Sequence, residues 1–154
     1  KDNLNLKEVV ESAIHNCLPK AKKQDISIKA DLKDVGFTGN HVLMQQAVSN
    51  LITNAINHTP ARETIKISLT GSAKEINISV QDFGCGIEKK DLNNIFERFY
   101  RVDKSRSMKI GGAGLGLSIV KLIITAHNGD IAVESKPGQG STFTITFKKF
   151  YNVN

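Results

Sequence analysis

Three asparagines, Asn50, Asn54 and Asn57, recur at i, i+4 and i+7 within a stretch whose apolar residues keep the same period. On a helix of 100° per residue, Met44, Val48, Leu51, Ile52 and Ala55 form one stripe. The amides form a separate face, with His58 at its edge. Asparagine is a mediocre helix former, so three aligned on so apolar a helix call for an explanation. A solvated face is one. The chemical alternative is that amide carbonyl oxygens point at a hard cation such as Mg²⁺.

Two further constellations lie downstream. Asp82-Phe83-Gly84-Cys85-Gly86-Ile87 follows an alternating, strand-like run and pairs a carboxylate acceptor with glycines that let backbone approach a ligand closely. Alone it is a weak signal, because such turns recur in many loops. Gly111-Gly112-Ala113-Gly114-Leu115-Gly116-Leu117 then places four glycines in six residues before a long apolar run. Free N–H groups and the dipole at the start of that helix favour phosphate. Arg98, Arg101, Lys104, Arg106 and Lys109 fall within the twelve residues just upstream, which suits a polyphosphate. Neither G-x-x-x-x-G-K-[ST] nor G-x-G-x-x-G in a βαβ unit is present, so a P-loop or Rossmann site fails on spacing.

The elements that must position these residues follow from periodicity. Strands are expected at Asn3 to Leu6, Ile26 to Leu32 and Val35 to Thr38, with a helix from Lys7 to Lys23 burying Val10, Ala13, Ile14 and Leu18. Asn40 is placed to cap a helix from His41 to about His58, which Pro60 closes. Thr64 to Thr70 and Glu75 to Gln81 read as a hairpin joined at Gly71-Ser72. A short helical segment is expected near Asp91 to Phe96, and a long helix from Gly114 to His127, stopped by Asn128-Gly129. Ile131 to Ser135 and Thr142 to Phe147 form a last pair of strands around Pro137-Gly138-Gln139-Gly140. Interleaved helices and hairpins predict an α+β fold, a two-layer sandwich with helices on one face of a mixed sheet of about five strands.

At 154 residues, 40% hydrophobic and 23% charged, the chain reads as a single domain, residues 1–154, with the composition of a soluble cytoplasmic fold. No apolar run approaches the roughly 20 residues of a membrane span. The start at Lys1 reads as that of a piece of a longer protein. The net charge of +6, with nine aromatics and no interleaving of basic and aromatic residues, reads as a solvated surface and not as a nucleic-acid groove. Cys17 and Cys85 match no metal-ligand or redox spacing. Cys85, between two glycines, reads as a small residue in a tight loop.

Taken together, the motifs resemble the catalytic, ATP-binding domain of two-component sensor histidine kinases, in the superfamily shared with gyrase, Hsp90 and MutL. Asn50-Leu51-Ile52-Thr53-Asn54-Ala55 resembles the N box, Asp82 to Ile87 the first glycine box, and Ile95-Phe96-Glu97-Arg98-Phe99-Tyr100-Arg101 the F box. Gly112 to Leu117 resembles the second glycine box, and Gly138-Gln139-Gly140-Ser141 the closing G-x-G-[ST] turn. Five boxes in order cover essentially the whole chain. The resemblance implies the Bergerat ATP-binding fold, with ATP and Mg²⁺ as ligands.

Residue by residue, it implies that Asn54 binds Mg²⁺ and that Asn50, one turn earlier, organises phosphates and metal. Asp82 would accept from the adenine amino group, supported by Ser141 through ordered water, beside Gly84, Gly86 and Ile87. His58 falls where an aromatic ring often lies on adenine, and Asn57 where many members carry a phosphate-binding lysine. Gly112, Gly114, Leu115, Gly116 and Leu117 would hold phosphate. Arg98 to Gly112 would form a mobile lid, with Phe99 and Tyr100 at its start and Arg101 and Arg106 reaching the phosphates. Asn50, Asn54, Arg101 and Arg106 would be the catalytic set.

The phosphoacceptor motif is missing, since His15, His41, His58 and His127 all fall inside the catalytic fold. The acceptor would then sit on a separate dimerising helical domain, with a response regulator as the next partner. The full protein would be a homodimer whose kinase part is cytoplasmic, below a membrane-anchored sensor. Related ATPases and serine kinases carry a glutamate where this chain has Asn50, and asparagine cannot take a proton. A nucleotide-sensing pseudokinase and an ATPase of the same superfamily are the competing readings.

Overall fold

The computed structural model describes residues 2–98, 100 and 116–149. β1 (Asp2–Asn5) leads into α1 (Leu6–Lys23), then β2 (Ser27–Leu32), β3 (Gly36–Gly39) and α2 (His41–His58). There follow β4 (Thr64–Gly71), β5 (Glu75–Asp82), α3 (Lys89–Leu92), α4 (Gly116–Ala126), β6 (Asp130–Lys136) and β7 (Gly140–Lys148). The main sheet has the order β2-β4-β5-β7-β6, with β2 and β4 parallel and every other pair antiparallel. It is the expected mixed five-stranded sheet. β1 and β3 do not join it; they pair with each other in a separate two-stranded sheet, Asp2 opposite Gly39.

Strict alternation explains the two layers. Ile65, Ile67 and Leu69 of β4, Ile76, Ile78 and Val80 of β5, and Phe143, Ile145 and Phe147 of β7 are all buried, while the residues between them face outward. The helices cover the apolar face, α2 lying between α1 and α4. Met44, Ala47, Val48, Leu51, Ile52, Ala55 and Ile56 make α2 the centre of the core.

The buried stripe of α1 is Leu6, Val9, Val10, Ala13, Cys17 and Ala21. Leu18, expected in that stripe, is 45% exposed, one position off the face that Cys17 fills. The expected segment from Asp91 to Phe96 is a single helical turn, Lys89–Leu92, that starts earlier. Beyond it the chain runs in three-residue steps, Asn94 N–H to Asp91 O, Glu97 N–H to Asn94 O and Tyr100 N–H to Glu97 O.

Capping chemistry sets the ends of the helices that matter. The Asn40 side chain accepts from Leu43 N–H at 2.9 Å, as its position predicts. At the end of α4 the N–H of Gly129 bonds to Ile124 O and that of Asn128 to Thr125 O, with Asn128 at φ 60°. This is a Schellman ending, in which asparagine takes the left-handed position. His127, next to it, donates from Nδ1 to Ile123 O at 2.8 Å. Its Nε2 accepts from Asn40 N–H at 3.1 Å. A carbonyl can only accept and a backbone N–H can only donate, so the ring is the neutral Nδ1–H tautomer. The bond also ties the C-terminus of α4 to the N-terminus of α2, so the two helices run antiparallel.

Candidate functional site

The antiparallel pairing decides what meets at the far end of the helical layer. At 1.5 Å per residue, α4 extends about 16 Å back from its tie to Asn40. Gly116 is therefore roughly level with the Asn50–Asn54 turn of α2. The described part of α4 opens with Gly116 and half-buried Leu117, and Asn50, Asn54, Asn57 and His58 of α2 are all half-buried.

The loop after β5 closes the same end. Gly84 lies so near the backbone carbonyl of His58 that a Cβ would overlap it. Gly86, at φ 76°, lies equally near the Lys136 carbonyl, and Gly140, at φ 90°, near that of Asp82. Gly138 N–H donates to Cys85 O at 2.7 Å. Gly84 and Gly86 were expected to admit a ligand. Their Cβ positions face the protein's own backbone, and the two glycines interlock the end of α2, the Asp82 loop and the β6–β7 turn.

Asp82 is the chemical centre of that junction and is only 3% exposed. Its Oδ1 accepts from Gly84 N–H at 3.0 Å and Ser141 N–H at 3.2 Å. Burial raises its pKa above the ordinary carboxylate value, and these two hydrogen bonds pull it partly back. Both N–H donors are spent on Oδ1, so among the described residues Oδ2 remains an acceptor for an outside donor.

Ser141 meets Asp82 through its backbone as well as its position. Its hydroxyl lies 2.8 Å from that of Ser135. The Ser135 hydroxyl also accepts from Ile87 N–H at 2.7 Å and donates to Gly140 O at 2.9 Å. Ser135 was not among the expected site residues. The signal was available, because a hairpin closed around Pro137-Gly138-Gln139 sets Ser135 directly opposite Ser141.

Tyr100, expected near the nucleotide, has its hydroxyl bonded to buried Asp91. That bond to a carboxylate is the main cause of a raised phenol pKa. Phe96 packs edge-on against Phe143, with Lys121 Nζ 5.9 Å from its ring centre, so the F-box segment rests on β7 and α4. Phe99, Arg101, Arg106, Gly112, Gly114 and Leu115, with Lys104, Lys109 and Gly111, lie outside the described residues.

The residues present fit a nucleotide with a divalent cation. Among the described residues no hydrogen bond engages the side-chain amides of Asn50 or Asn54, and the buried Oδ1 of Asn57 has no partner. No cluster of three or more His, Cys, Asp or Glu exists among the described residues. A cation here would rest on amide oxygens and on the ligand's own phosphates. Cavities of about 390 and 470 Å³ lie elsewhere. The first is lined by Ile76, Phe147 and Lys148, at the opposite end of the β5–β7 pair from Asp82 and Ser141.

A junction that fits a nucleotide, on a two-layer α+β sandwich, points to an ATP-binding class, and comparison with known proteins gives the family. Residues 39–150 match the Histidine kinase-, DNA gyrase B-, and HSP90-like ATPase family, and the chain belongs to it. Within that family its relatives are sensor kinases. Sensor-like histidine kinase SenX3 of Mycolicibacterium smegmatis is 40% identical over 97% of this chain and 39% of its own length. Sensor histidine kinase WalK of Bacillus subtilis is 46% identical over 66% of this chain and 17% of its own. The chain therefore spans well under half of these relatives. The catalytic domain of histidine kinase ThkA superposes with a TM-score of 0.83 at 26% identity, covering 96% of this chain and 95% of that one.

Proposed function

We propose that residues 1–154 are the catalytic domain of a sensor histidine kinase, which binds Mg²⁺-ATP and delivers its γ-phosphoryl group to a histidine on a separate dimerising helical domain. The observation that carries this reading is Asp82, a buried acceptor that two backbone N–H groups hold in place beside an asparagine-lined helix. Adenine offers an amino donor at C6 where guanine offers an acceptor, so Oδ2 of Asp82 reads the base. Gly116 and Leu117 present N–H groups to phosphate. Asn54, with Asn50, would hold Mg²⁺, which supplies charge neutralisation on the phosphates.

Transfer breaks the bond between the γ-phosphorus and its bridging oxygen and forms an N–P bond on the acceptor imidazole, leaving ADP. A neutral imidazole is already a nucleophile near its pKa of about 6.5, so this chain supplies positioning and charge, not a base. Arg101 and Arg106 are the cations proposed for the transferring phosphate. None of the chain's own histidines is the acceptor. His127 has both ring nitrogens engaged inside the fold.

Among the described residues no helix is long and apolar enough to cross a membrane. The proposed setting is the cytoplasmic part of a membrane-anchored homodimer that passes phosphate to a response regulator, and it is supported by the sensor names of the relatives. The test supplies a dimerising hairpin with an acceptor histidine in trans, with γ-labelled ATP and Mg²⁺. Acid-labile label should appear on the hairpin and none on this chain. Labelling of this chain alone would reject the reading.

A further inference from the structure

We propose that Ser135 is a positioning residue that fixes the direction of the Ser141 hydroxyl proton and so sets the base selectivity of the site. This rests on the adenine-reading role proposed for Asp82. The Ser135 oxygen has three neighbours at hydrogen-bond distance, Ile87 N–H at 2.7 Å, Gly140 O at 2.9 Å and the Ser141 hydroxyl at 2.8 Å. Ile87 N–H can only donate and Gly140 O can only accept. The contact to Gly140 O takes the single proton of Ser135, and one of its lone pairs is taken by Ile87. The second lone pair faces Ser141, so Ser141 donates to Ser135. Every capacity of the Ser135 hydroxyl is then filled.

The consequence falls on Ser141. Its only side-chain proton is committed away from the site, and towards anything else its hydroxyl shows lone pairs alone. Its backbone N–H is committed as well, to Asp82 Oδ1. Asp82 and Ser141 thus offer acceptors on two neighbouring strands, at paired positions of β5 and β7. A base, or a bridging water, must bring protons to both. A 6-amino purine does so, and a 6-oxo purine meets a second mismatched acceptor. Ser135 touches no part of the nucleotide. It acts only by holding the proton of its cross-strand partner.

The test is the ratio of ATP to ITP affinity, measured by calorimetry with Mg²⁺ on the 154-residue chain, because ITP replaces the 6-amino group by oxygen. Ser135→Ala releases the Ser141 proton, which can then be offered to a 6-oxo group, and the ratio should fall about tenfold, the scale of one hydrogen bond. Ser135→Thr keeps the hydroxyl and should restore it. Ser141→Ala deletes an acceptor and should also lower the ratio, and Ser135→Ala in that background should then change nothing further. Equal loss of ATP and ITP affinity in Ser135→Ala would make Ser135 a hairpin brace and overturn the proposal. So would a raised ratio in Ser141→Ala, a readout that does not depend on Ser135→Ala folding. If the unaltered chain itself fails to distinguish ATP from ITP, the Asp82 reading falls first and this inference with it.

Discussion

Asp82 is a carboxylate kept where folding disfavours its charge. Burial raises its pKa in the native protein, so between the unfolded and the raised folded value the native state holds more protons than the unfolded chain. Stability then falls as pH rises through that window. Asp82→Asn removes the penalty while keeping an oxygen for Gly84 and Ser141. The variant should therefore melt higher than the parent at neutral pH, and the gain should vanish below the ordinary aspartate range. It should also lose the ATP-over-GTP preference, expected at roughly 100-fold or more in the parent from the cost of facing acceptors. ATP binding to the parent should weaken as pH falls through the raised value. A variant that melts lower at pH 7 and still prefers ATP would contradict both halves. The asparagines separate in a similar way. Asn54→Ala should weaken Mg²⁺-dependent ATP binding by about tenfold or more, the loss of a contact to a charged group. Asn57→Ala should have a small effect, and it relieves a buried oxygen without a partner among the described residues, so its melting temperature should hold or rise. Equal, small effects in the presence of Mg²⁺ would remove the metal role of Asn54.

Elements bring these residues together, and the closest approaches are made by glycine. Gly140 and Gly138 both have positive φ, 90° and 79°, but a Cβ at Gly140 would strike the Asp82 backbone while one at Gly138 meets open space. Gly138→Ala should cost only the left-handed backbone term, about 1–2 kcal/mol. Gly140→Ala adds the overlap and should cost about 3 kcal/mol or more, with ATP affinity falling because β7 must move off β5. Urea unfolding of the two variants side by side checks the difference; equal losses would mean that the junction yields easily. This kind of contact also marks the limit of what the chain showed beforehand. α2 was legible at its start, and closely at its end, because Asn40, a strong apolar stripe and Pro60 all agree on its extent. The two sheet faces were legible from alternation. The separation of β1 and β3 from the main sheet was not, since short polar strands carry no register signal. The spacing of Gly84 and Gly86 was visible, but whether their neighbour is a ligand or the carbonyls of His58 and Lys136 is a tertiary fact. Asp91 was hidden for the same reason, as nothing local links it to Tyr100 nine residues on.

For the whole molecule, the question is where the transferred phosphoryl group goes. Water is present at any open ATP site, so a domain built for transfer to another protein must be a poor hydrolase. The asparagines of α2 at Asn50, Asn54 and Asn57 carry amides, which cannot take a proton, His58 at the edge of that face is proposed for the adenine, and the buried carboxylate of Asp82 is held by Gly84 and Ser141. General-base assistance is worth roughly 10²–10⁴ in rate. The chain alone should therefore bind ATP and turn it over slowly, with no burst of phosphate release. Transfer to a hairpin histidine escapes this limit because the imidazole brings its own lone pair. Arg101→Ala and Arg106→Ala should slow transfer by a larger factor than they weaken ATP binding, since positive charge counts most as the phosphoryl group leaves. Asn50→Glu is the complementary change. It puts a carboxylate one turn before Asn54, where a water beside the γ-phosphate would need its proton removed, and it should raise phosphate release above that of the parent while lowering the yield of phosphohistidine. Rapid hydrolysis by the unaltered chain, indifferent to any acceptor, would place it with the ATPases of its family and not with the histidine kinases.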